Sequence, residues 1–155
     1  MTSGAVGDFA SQSFEHVCDE HVLVIGAGDS AEEALRHLQD AGARHVTVIN
    51  RDFPRTQQLA ERWQGRAEAW EQLQQELTRA DGVTSTTGAS EPVVTLERYK
   101  QIEASRYQRP LFVLDLAMPR DFEPAIGDRL GVYLYSIDDL QAACQENRRQ
   151  RCLLY

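Results

Sequence analysis

The sequence predicts an α/β fold, a doubly wound and mostly parallel sheet of about six strands with helices on both faces. Short continuous apolar runs, typical of strands buried on both faces, alternate along the chain with segments whose apolar residues recur at helical spacing. The first apolar run ends directly in a glycine-rich turn that opens a helix. The 155 residues are enough for one ordinary domain with its own core.

In the first half of the chain, the pattern of apolar residues predicts three helices and two strands. A helical stripe runs through Val6, Phe9, Ala10, Phe14 and Val17. The runs 21–25 and 45–49 are strands, separated by a helix whose apolar face ends at Gly42, a common residue just past a helix C-terminus. A further helix carries Thr56, Leu59, Ala60 and Trp63.

The second half continues the alternation. Residues 66–69, 82–86, 111–114 and 131–135 are predicted strands, and the third of them stops at Asp115. A short helix carries Trp70, Leu73 and Leu77, and Thr95 is placed to cap another helix with Leu96, Tyr99 and Ile102. Ser136 and Asp139 have the spacing of a helix N-terminus, and the final helix carries Ile137, Leu140 and Cys144.

Composition excludes several classes of function. A net charge of −8 makes this domain a poor nucleic-acid surface. No stretch approaches the roughly 18 apolar residues of a membrane helix, and residues 1–10 lack the features of a secretory signal. Three cysteines and four histidines show no zinc-ligand spacing. We expect a cytoplasmic protein without a metal or a membrane contact.

The glycine-rich turn, Gly26-Ala27-Gly28-Asp29-Ser30-Ala31, joins the first strand to its helix. In dinucleotide-binding units the first glycine permits a tight turn, the second lets a pyrophosphate approach the backbone, and a small third residue lets the helix lie close to the strand. The helix N-terminus offers N–H groups and positive dipole to phosphates. With a strand before it and a helix after it, this turn predicts a Rossmann-type dinucleotide site, a purely structural turn being the alternative.

The end of the second strand favours NADP(H) over NAD(H). Where NAD is preferred, an acid about 20 residues after the glycines usually binds the ribose 2′-OH. Here Asn50 stands at that place, Arg51 follows it, and Arg55 lies four residues further on. An arginine can pair bidentately with a 2′-phosphate. Asp52 argues against this preference, because it puts negative charge close to the proposed phosphate.

Five motifs, taken in order, make the sequence resemble the nucleotide domain of glutamyl-tRNA reductase from about Ser3 to the final helix. They are Val-Ile-Gly-Ala-Gly, Asn50-Arg51, Ser85-Thr86-Thr87-Gly88-Ala89, Asp115-Leu116-Ala117-Met118-Pro119-Arg120-Asp121 and Tyr135-Ser136-Ile137-Asp138-Asp139-Leu140. The last two are the most specific, since shikimate dehydrogenases share only the others. Two departures stand out: Asp29-Ser30-Ala31 where the family often has Glu-Met-Gly, and Asp52 where it often has Thr or Ser.

The resemblance implies an activity for the whole enzyme. A cysteine of an N-terminal domain attacks the ester of glutamyl-tRNA, and NADPH reduces the thioester to glutamate-1-semialdehyde for tetrapyrrole (porphyrin) synthesis. None of Cys18, Cys144 or Cys152 matches the context of that cysteine, so we expect no catalytic residue and no reductase activity in this chain alone. The expected organisation is a lead-in helix over 1–20, a dinucleotide-binding domain over 21–136, and over 137–155 the start of a severed helix leading to a homodimerisation domain.

The expected site follows the cofactor from end to end. The pyrophosphate is expected among Gly26, Ala27, Gly28, Asp29 and Ser30, and the 2′-phosphate near Asn50, Arg51 and Arg55. The ribose and nicotinamide are expected beside Thr86, Thr87, Gly88 and Ala89, with Met118 on the nicotinamide face as the resemblance implies. Asp115 is expected at the same edge, with a role in a cap or turn equally open, and Arg120 is expected to pair with Asp121 or Asp115.

Two alternatives remain beside this interpretation. A complete small oxidoreductase of the shikimate dehydrogenase type fails on length, because no substrate domain precedes Val22, and Lys100 is the only lysine. A non-catalytic module with a degenerate nucleotide site is supported by Asp52 and by the acidic composition. Nucleotide affinity separates the two enzymatic hypotheses from the third.

Overall fold

The computed structural model describes residues 19–107 and 109–136, which build a six-stranded sheet. The strands are β1 (His21–Ile25), β2 (His45–Ile49), β3 (Arg66–Glu68), β4 (Gly82–Ser85), β5 (Leu111–Asp115) and β6 (Val132–Ser136). Their order is β3-β2-β1-β4-β5-β6, and every neighbouring pair is parallel. This is the strand order of a doubly wound dinucleotide-binding fold, so the predicted fold class is confirmed.

Helices cover both faces of the sheet. They are α1 (Asp29–Asp40), α2 (Phe53–Arg62), α3 (Leu73–Arg79) and α4 (Leu96–Glu103), with 3₁₀ turns at Trp70–Gln72, Ala104–Arg106 and Pro124–Asp128. Alternate residues of a strand point to opposite faces. Val22 and Val24 therefore pack with the apolar stripes of α1 and α2. Leu23 and Ile25 pack on the other side with buried residues of α3 and α4, in what we call the α3/α4 core.

Residues at helix ends predicted where two of the helices begin or end. Gly42 follows the end of α1 with a φ of +88°, a conformation that glycine adopts without a steric penalty. The Thr95 hydroxyl accepts a hydrogen bond from the Arg98 N–H at 3.1 Å, which makes Thr95 the predicted cap of α4. Every strand predicted within the described residues is present, with bounds that differ by at most one residue.

Several predictions lie outside the described residues. These are the helix before residue 19, the helix after residue 136, the three cysteines and most of the Tyr135–Leu140 motif. Within residues 19–107 and 109–136, no helix combines the length and hydropathy needed to cross a membrane.

Glu20 gives the fold a pH dependence at the start of the sheet. Burial, with a hydrogen bond and the charge of Asp81, raises the pKa of Glu20 from 4.5 to about 7. Because the folded pKa exceeds the unfolded one, the stabilisation is complete below the unfolded pKa and is lost as pH rises through about 7. We expect the urea midpoint to fall between about pH 5 and 8, with a smaller slope in Glu20→Gln. Urea titrations at several pH values, with the exposed-site variant Glu91→Gln as control, test this; equal slopes in wild type and Glu20→Gln would contradict it.

Candidate nucleotide-binding site

The carboxyl ends of β1, β2 and β4 meet at Gly26. The Gly26 N–H donates to the Ile49 carbonyl at the end of β2 (2.9 Å), and the Thr86 N–H donates to the Ile25 carbonyl at the end of β1 (2.8 Å). The strand order reverses here, because β2 and β3 lie on one side of β1 while β4 to β6 lie on the other. Open parallel sheets bind ligands in the crevice beyond the strand ends at such a point.

Gly26 makes the tight turn that the sequence predicts. Its φ of +128° is a conformation that other residues rarely adopt. A Cβ at this position would lie 2.3 Å from the Thr86 Oγ1 atom. That hydroxyl is itself held, since it donates to the Ile25 carbonyl at 3.2 Å. Both the backbone conformation and the contact with Thr86 therefore require glycine.

Gly28 is the N-cap residue of α1, and its surroundings differ from those of Gly26. Its φ of −92° is ordinary, and a Cβ built on it would meet no atom of the described residues within 4 Å. Within the part of the chain that the structure describes, no side chain forms a capping hydrogen bond to the first turn of α1. Ala31 is fully buried, which brings the helix close to β1. The start of α1 thus offers open space next to the N–H groups of a helix N-terminus, an arrangement that suits a phosphate.

Two acids lie in the first turn of α1. Glu32 forms an ion pair with Arg62 at 2.6 Å, and this contact lowers the pKa of Glu32. Its charge is therefore compensated by a neighbour. Asp29 is exposed at the start of the helix, where solvent screens its charge and the helix dipole favours it.

Asp52, which argued against a 2′-phosphate, is the N-cap residue of α2. Its Oδ1 atom accepts a hydrogen bond from the Arg55 N–H at 3.3 Å, and its carbonyl accepts one from the Thr56 hydroxyl at 2.8 Å. Pro54 occupies the first turn of the same helix, as is common. An aspartate at this position is therefore explained by helix capping.

Arg51 lies against an aromatic ring. Its Cζ atom is 5.1 Å from the centroid of the Trp70 ring, within cation–π range. Among the described residues no carboxylate forms an ion pair with Arg51 or with Arg55. Both guanidinium groups lie in the same short segment after β2, exposed to solvent. Unneutralised arginines at this place can bind an anion.

Asp121 holds the loop that follows β4. Its carboxylate is completely buried and accepts hydrogen bonds from the Ser85 hydroxyl (2.5 Å), the Thr87 N–H (2.9 Å) and the Thr87 hydroxyl. The Thr87 hydroxyl also lies 3.4 Å from the Ala89 N–H. Gly88 is exposed at the tip. The predicted cofactor loop is therefore ordered from behind by a residue 34 positions away from Thr87.

Asp115 organises the next loop, after β5. Its buried carboxylate accepts backbone hydrogen bonds from Ala117 (3.2 Å), Asp121 (3.2 Å) and Phe122 (2.9 Å). Burial raises the pKa of Asp115, and these three hydrogen bonds oppose that rise. Asp115 is thus a turn acid, one of the roles left open by the sequence. The Asp-Leu-Ala-Met-Pro-Arg-Asp motif folds around its first carboxylate and uses its last carboxylate to hold the loop after β4.

Met118 and Arg120 lie on the outer side of that loop. The Met118 side chain is 73% exposed, which is unusual for a large apolar residue. Arg120 is also exposed, and no ion pair joins it to either aspartate within residues 19–107 and 109–136. The expected pairing of Arg120 is therefore wrong, because Ser85 and Thr87 occupy Asp121 while backbone N–H groups occupy Asp115.

The structure brings the predicted residues to one edge of the sheet. Gly26, Asn50 and Thr86 stand directly after three adjacent strands, and Met118 follows β5 beyond them. Arg55 lies in the first turn of α2, and among the described residues no hydrogen bond or ion pair joins its side chain to the other candidates. Sequence reasoning missed the hydrogen bonds of Asp121 and the contact of Trp70 with Arg51. Trp70 lies just after β3, the strand that pairs with β2 in the structure.

No metal site is found among the described residues, because they contain no group of three or more His, Cys, Asp or Glu side chains that could hold a metal. A cavity of about 290 Å³ lies at the opposite edge of the sheet, where His21 and His45 begin β1 and β2. None of the predicted site residues lines that cavity.

Comparisons with known proteins identify a family and relatives that this chain resembles. The model of the Shikimate / quinate 5-dehydrogenase family matches residues 8–143. The glutamyl-tRNA reductase of Rhodopirellula baltica is 45% identical over 151 residues, which cover 97% of this chain and 35% of the relative. That of Bacillus cereus is 44% identical over 149 residues, 96% of this chain and 34% of the relative.

A solved structure extends the comparison to three dimensions. The glutamyl-tRNA reductase from Methanopyrus kandleri superposes with a TM-score of 0.87 and 32% sequence identity, over 97% of this chain and 38% of that one. The chain thus spans about a third of the length of the curated relatives it matches.

Proposed function

The chain belongs to the Shikimate / quinate 5-dehydrogenase family, and on that premise we propose that it is the NADPH-binding domain of a glutamyl-tRNA reductase. The observation that carries the proposal is the turn at the end of β1. There Gly28 precedes α1 with no described atom within 4 Å of a Cβ built on it and no side-chain cap from the described residues. The identity of 44–45% with glutamyl-tRNA reductases supports this enzyme over the other members of the family.

The turn fits a pyrophosphate. An anion at the start of α1 would meet the N–H groups of Gly28, Asp29 and Ser30, which no side chain caps. Gly26 and Ala27 bring the chain to that point, and the Ser30 hydroxyl is exposed beside it. A residue larger than glycine at position 28 would fill the open space with its Cβ. We infer that the space is kept for the ligand.

The segment after β2 fits the 2′-phosphate of NADP(H) better than the free hydroxyl of NAD(H). Asn50 carries no charge that would repel a phosphate, and Arg51 presents a guanidinium that no described carboxylate neutralises. The Asp52 carboxylate accepts a hydrogen bond from the Arg55 N–H. Aspartate in place of the family's usual Thr or Ser is therefore explained by capping of α2. Arg55 adds a second positive charge in the first turn of α2.

In this proposal the nicotinamide half of the cofactor binds between the loops after β4 and β5. We propose that Thr86, Thr87, Gly88 and Ala89 border the ribose and nicotinamide. Met118, exposed on the neighbouring loop, then packs against the ring. When bound, NADPH supplies the hydride, and this chain binds and orients it. Asp115 and Asp121 take no part in proton transfer in this proposal, because their hydrogen bonds are used to hold the two loops.

The remaining parts of the reaction belong to the larger enzyme. We propose that glutamyl-tRNA and the reacting cysteine are held by a separate catalytic domain, and that the full enzyme is a cytoplasmic homodimer. Residues 21–136 form the dinucleotide-binding domain in this proposal. The chain alone then lacks a catalytic residue, and its own activity is the binding of NADPH.

Calorimetric titration with NADPH and with NADH tests the proposed function. We expect NADPH to bind at least about tenfold more tightly, because a charge-assisted bidentate contact contributes about 1.5–3 kcal/mol. Arg51→Ala should bring the two dissociation constants within about threefold of each other. Arg44→Ala, an exposed arginine at the other edge of the sheet, should leave both unchanged. Absence of NADPH binding by the wild-type chain would refute the proposal.

A further inference from the structure

Trp70 lies where the adenosine end of the cofactor is expected. It follows β3, and β3 pairs with β2 in a register that sets Glu68 opposite Ile49. Two residues beyond that pair, the same register sets Trp70 opposite Arg51. Both residues lie just past the ends of their strands, and the Trp70 ring and the Arg51 guanidinium are in contact there.

We propose that Trp70 is a positioning residue that holds the Arg51 guanidinium for the 2′-phosphate of NADPH, an inference that rests on the proposed function. The Arg51 Cζ atom lies 5.1 Å from the Trp70 ring centroid. A ring contact uses one face of the guanidinium and leaves its N–H donors, which lie in the plane, available to a phosphate. A carboxylate partner would occupy those donors instead.

Trp70 is itself firmly placed. It is half-buried and packs against the α3/α4 core. The 3₁₀ turn Trp70–Gln72 leads directly into α3, whose first residue, Leu73, is buried. Arg51, by contrast, is exposed and has many rotamers to lose when it binds a ligand. A fixed ring that already orders this side chain lowers the entropy cost of phosphate binding.

The second tryptophan of the chain provides a matched control. Trp63 is half-buried on the other face of the sheet, against the α1 and α2 side, and its Nε1 atom lies 3.4 Å from a Glu32 oxygen. Among the described residues, no hydrogen bond or ring contact joins Trp63 to Arg51. Trp63→Phe thus makes the same side-chain change as Trp70→Phe at a position that has no ring contact with Arg51.

Calorimetry with NADPH and NADH on Trp70→Ala, Trp70→Phe and Trp63→Phe tests the inference. We expect Trp70→Ala to weaken NADPH binding about threefold to fivefold and NADH binding less than about twofold, in the range of an exposed cation–π contact. Trp70→Phe, which keeps a smaller aromatic face, should recover most of the NADPH affinity. Trp63→Phe should change neither dissociation constant.

A double-mutant cycle separates positioning from a general structural effect. In the Arg51→Ala background, Trp70→Ala should cause no further loss of NADPH affinity, because the side chain that it positions is gone. An equal loss of NADPH affinity in both backgrounds overturns the inference. So does a ratio of NADPH to NADH affinity that is the same in Trp70→Ala as in wild type. These outcomes leave the proposed function intact so long as the wild-type chain binds NADPH. If the wild type does not bind it, both fail.

Discussion

Gly26→Ala is expected to lower the free energy of unfolding by about 3 kcal/mol, whereas Gly28→Ala is expected to leave it within about 0.5 kcal/mol of wild type. The first substitution imposes a φ of +128° on an L-residue and sets a Cβ 2.3 Å from the Thr86 Oγ1 atom. The second places a Cβ where no described atom lies within 4 Å, on a backbone that alanine adopts readily.

Gly28→Ala should nevertheless affect the binding of NADPH. Gly28→Ala is expected to weaken binding at least about tenfold, or about 1.4 kcal/mol, because its methyl group enters the space proposed for the pyrophosphate. Urea unfolding measures the first effect and calorimetry the second. A Gly28→Ala variant that is as stable as wild type and binds NADPH equally well would remove the pyrophosphate from this turn. A fully stable Gly26→Ala would contradict the steric argument.

Asp121→Ala is expected to cost about 3 kcal/mol of stability, which for a chain of this length corresponds to a fall in Tm of roughly 6–12 °C. The Asp121 side chain is completely buried, and its removal leaves the Ser85 hydroxyl and two Thr87 donors without their acceptor. Buried donors that lose a charged acceptor lose more than the contact itself, since they cannot turn to water.

Asp121→Asn should lose roughly half as much, because the amide retains one oxygen to accept the Thr87 N–H. Thermal unfolding of Asp121→Ala, Asp121→Asn and the exposed-site control Asp128→Ala gives the comparison. We also expect NADPH affinity to fall in both Asp121 variants below their unfolding temperatures, since the loop after β4 is held from behind by this carboxylate. If Asp121→Ala has the same Tm as the wild type, the hydrogen bonds of Asp121 do not hold this loop.

Several features of the fold were determined by the sequence itself because they are local. The short run His21–Ile25, rich in β-branched residues and followed by a glycine, indicates a buried strand, and the stripe of α1 indicates the helix face that packs on the sheet. The turn at Gly26 and Gly28 is a property of six consecutive residues. Asn50 and Arg51 follow the second strand directly, and in a parallel sheet that already sets them at the same edge as the glycines.

Only the tertiary structure decided which distant side chains meet. Asp121 binds Ser85 from 36 positions away. Arg106, a surface residue by composition, is buried and donates to five backbone carbonyls at the other edge of the sheet, including those of Leu77 and Ala80. The hydrophobic pattern specifies that a face is buried, whereas the partner of a buried polar group depends on where loops from separate strands end in space. For that reason the candidate strands and glycines were readable from the sequence, and the support of Arg51 by Trp70 and of Thr87 by Asp121 was not.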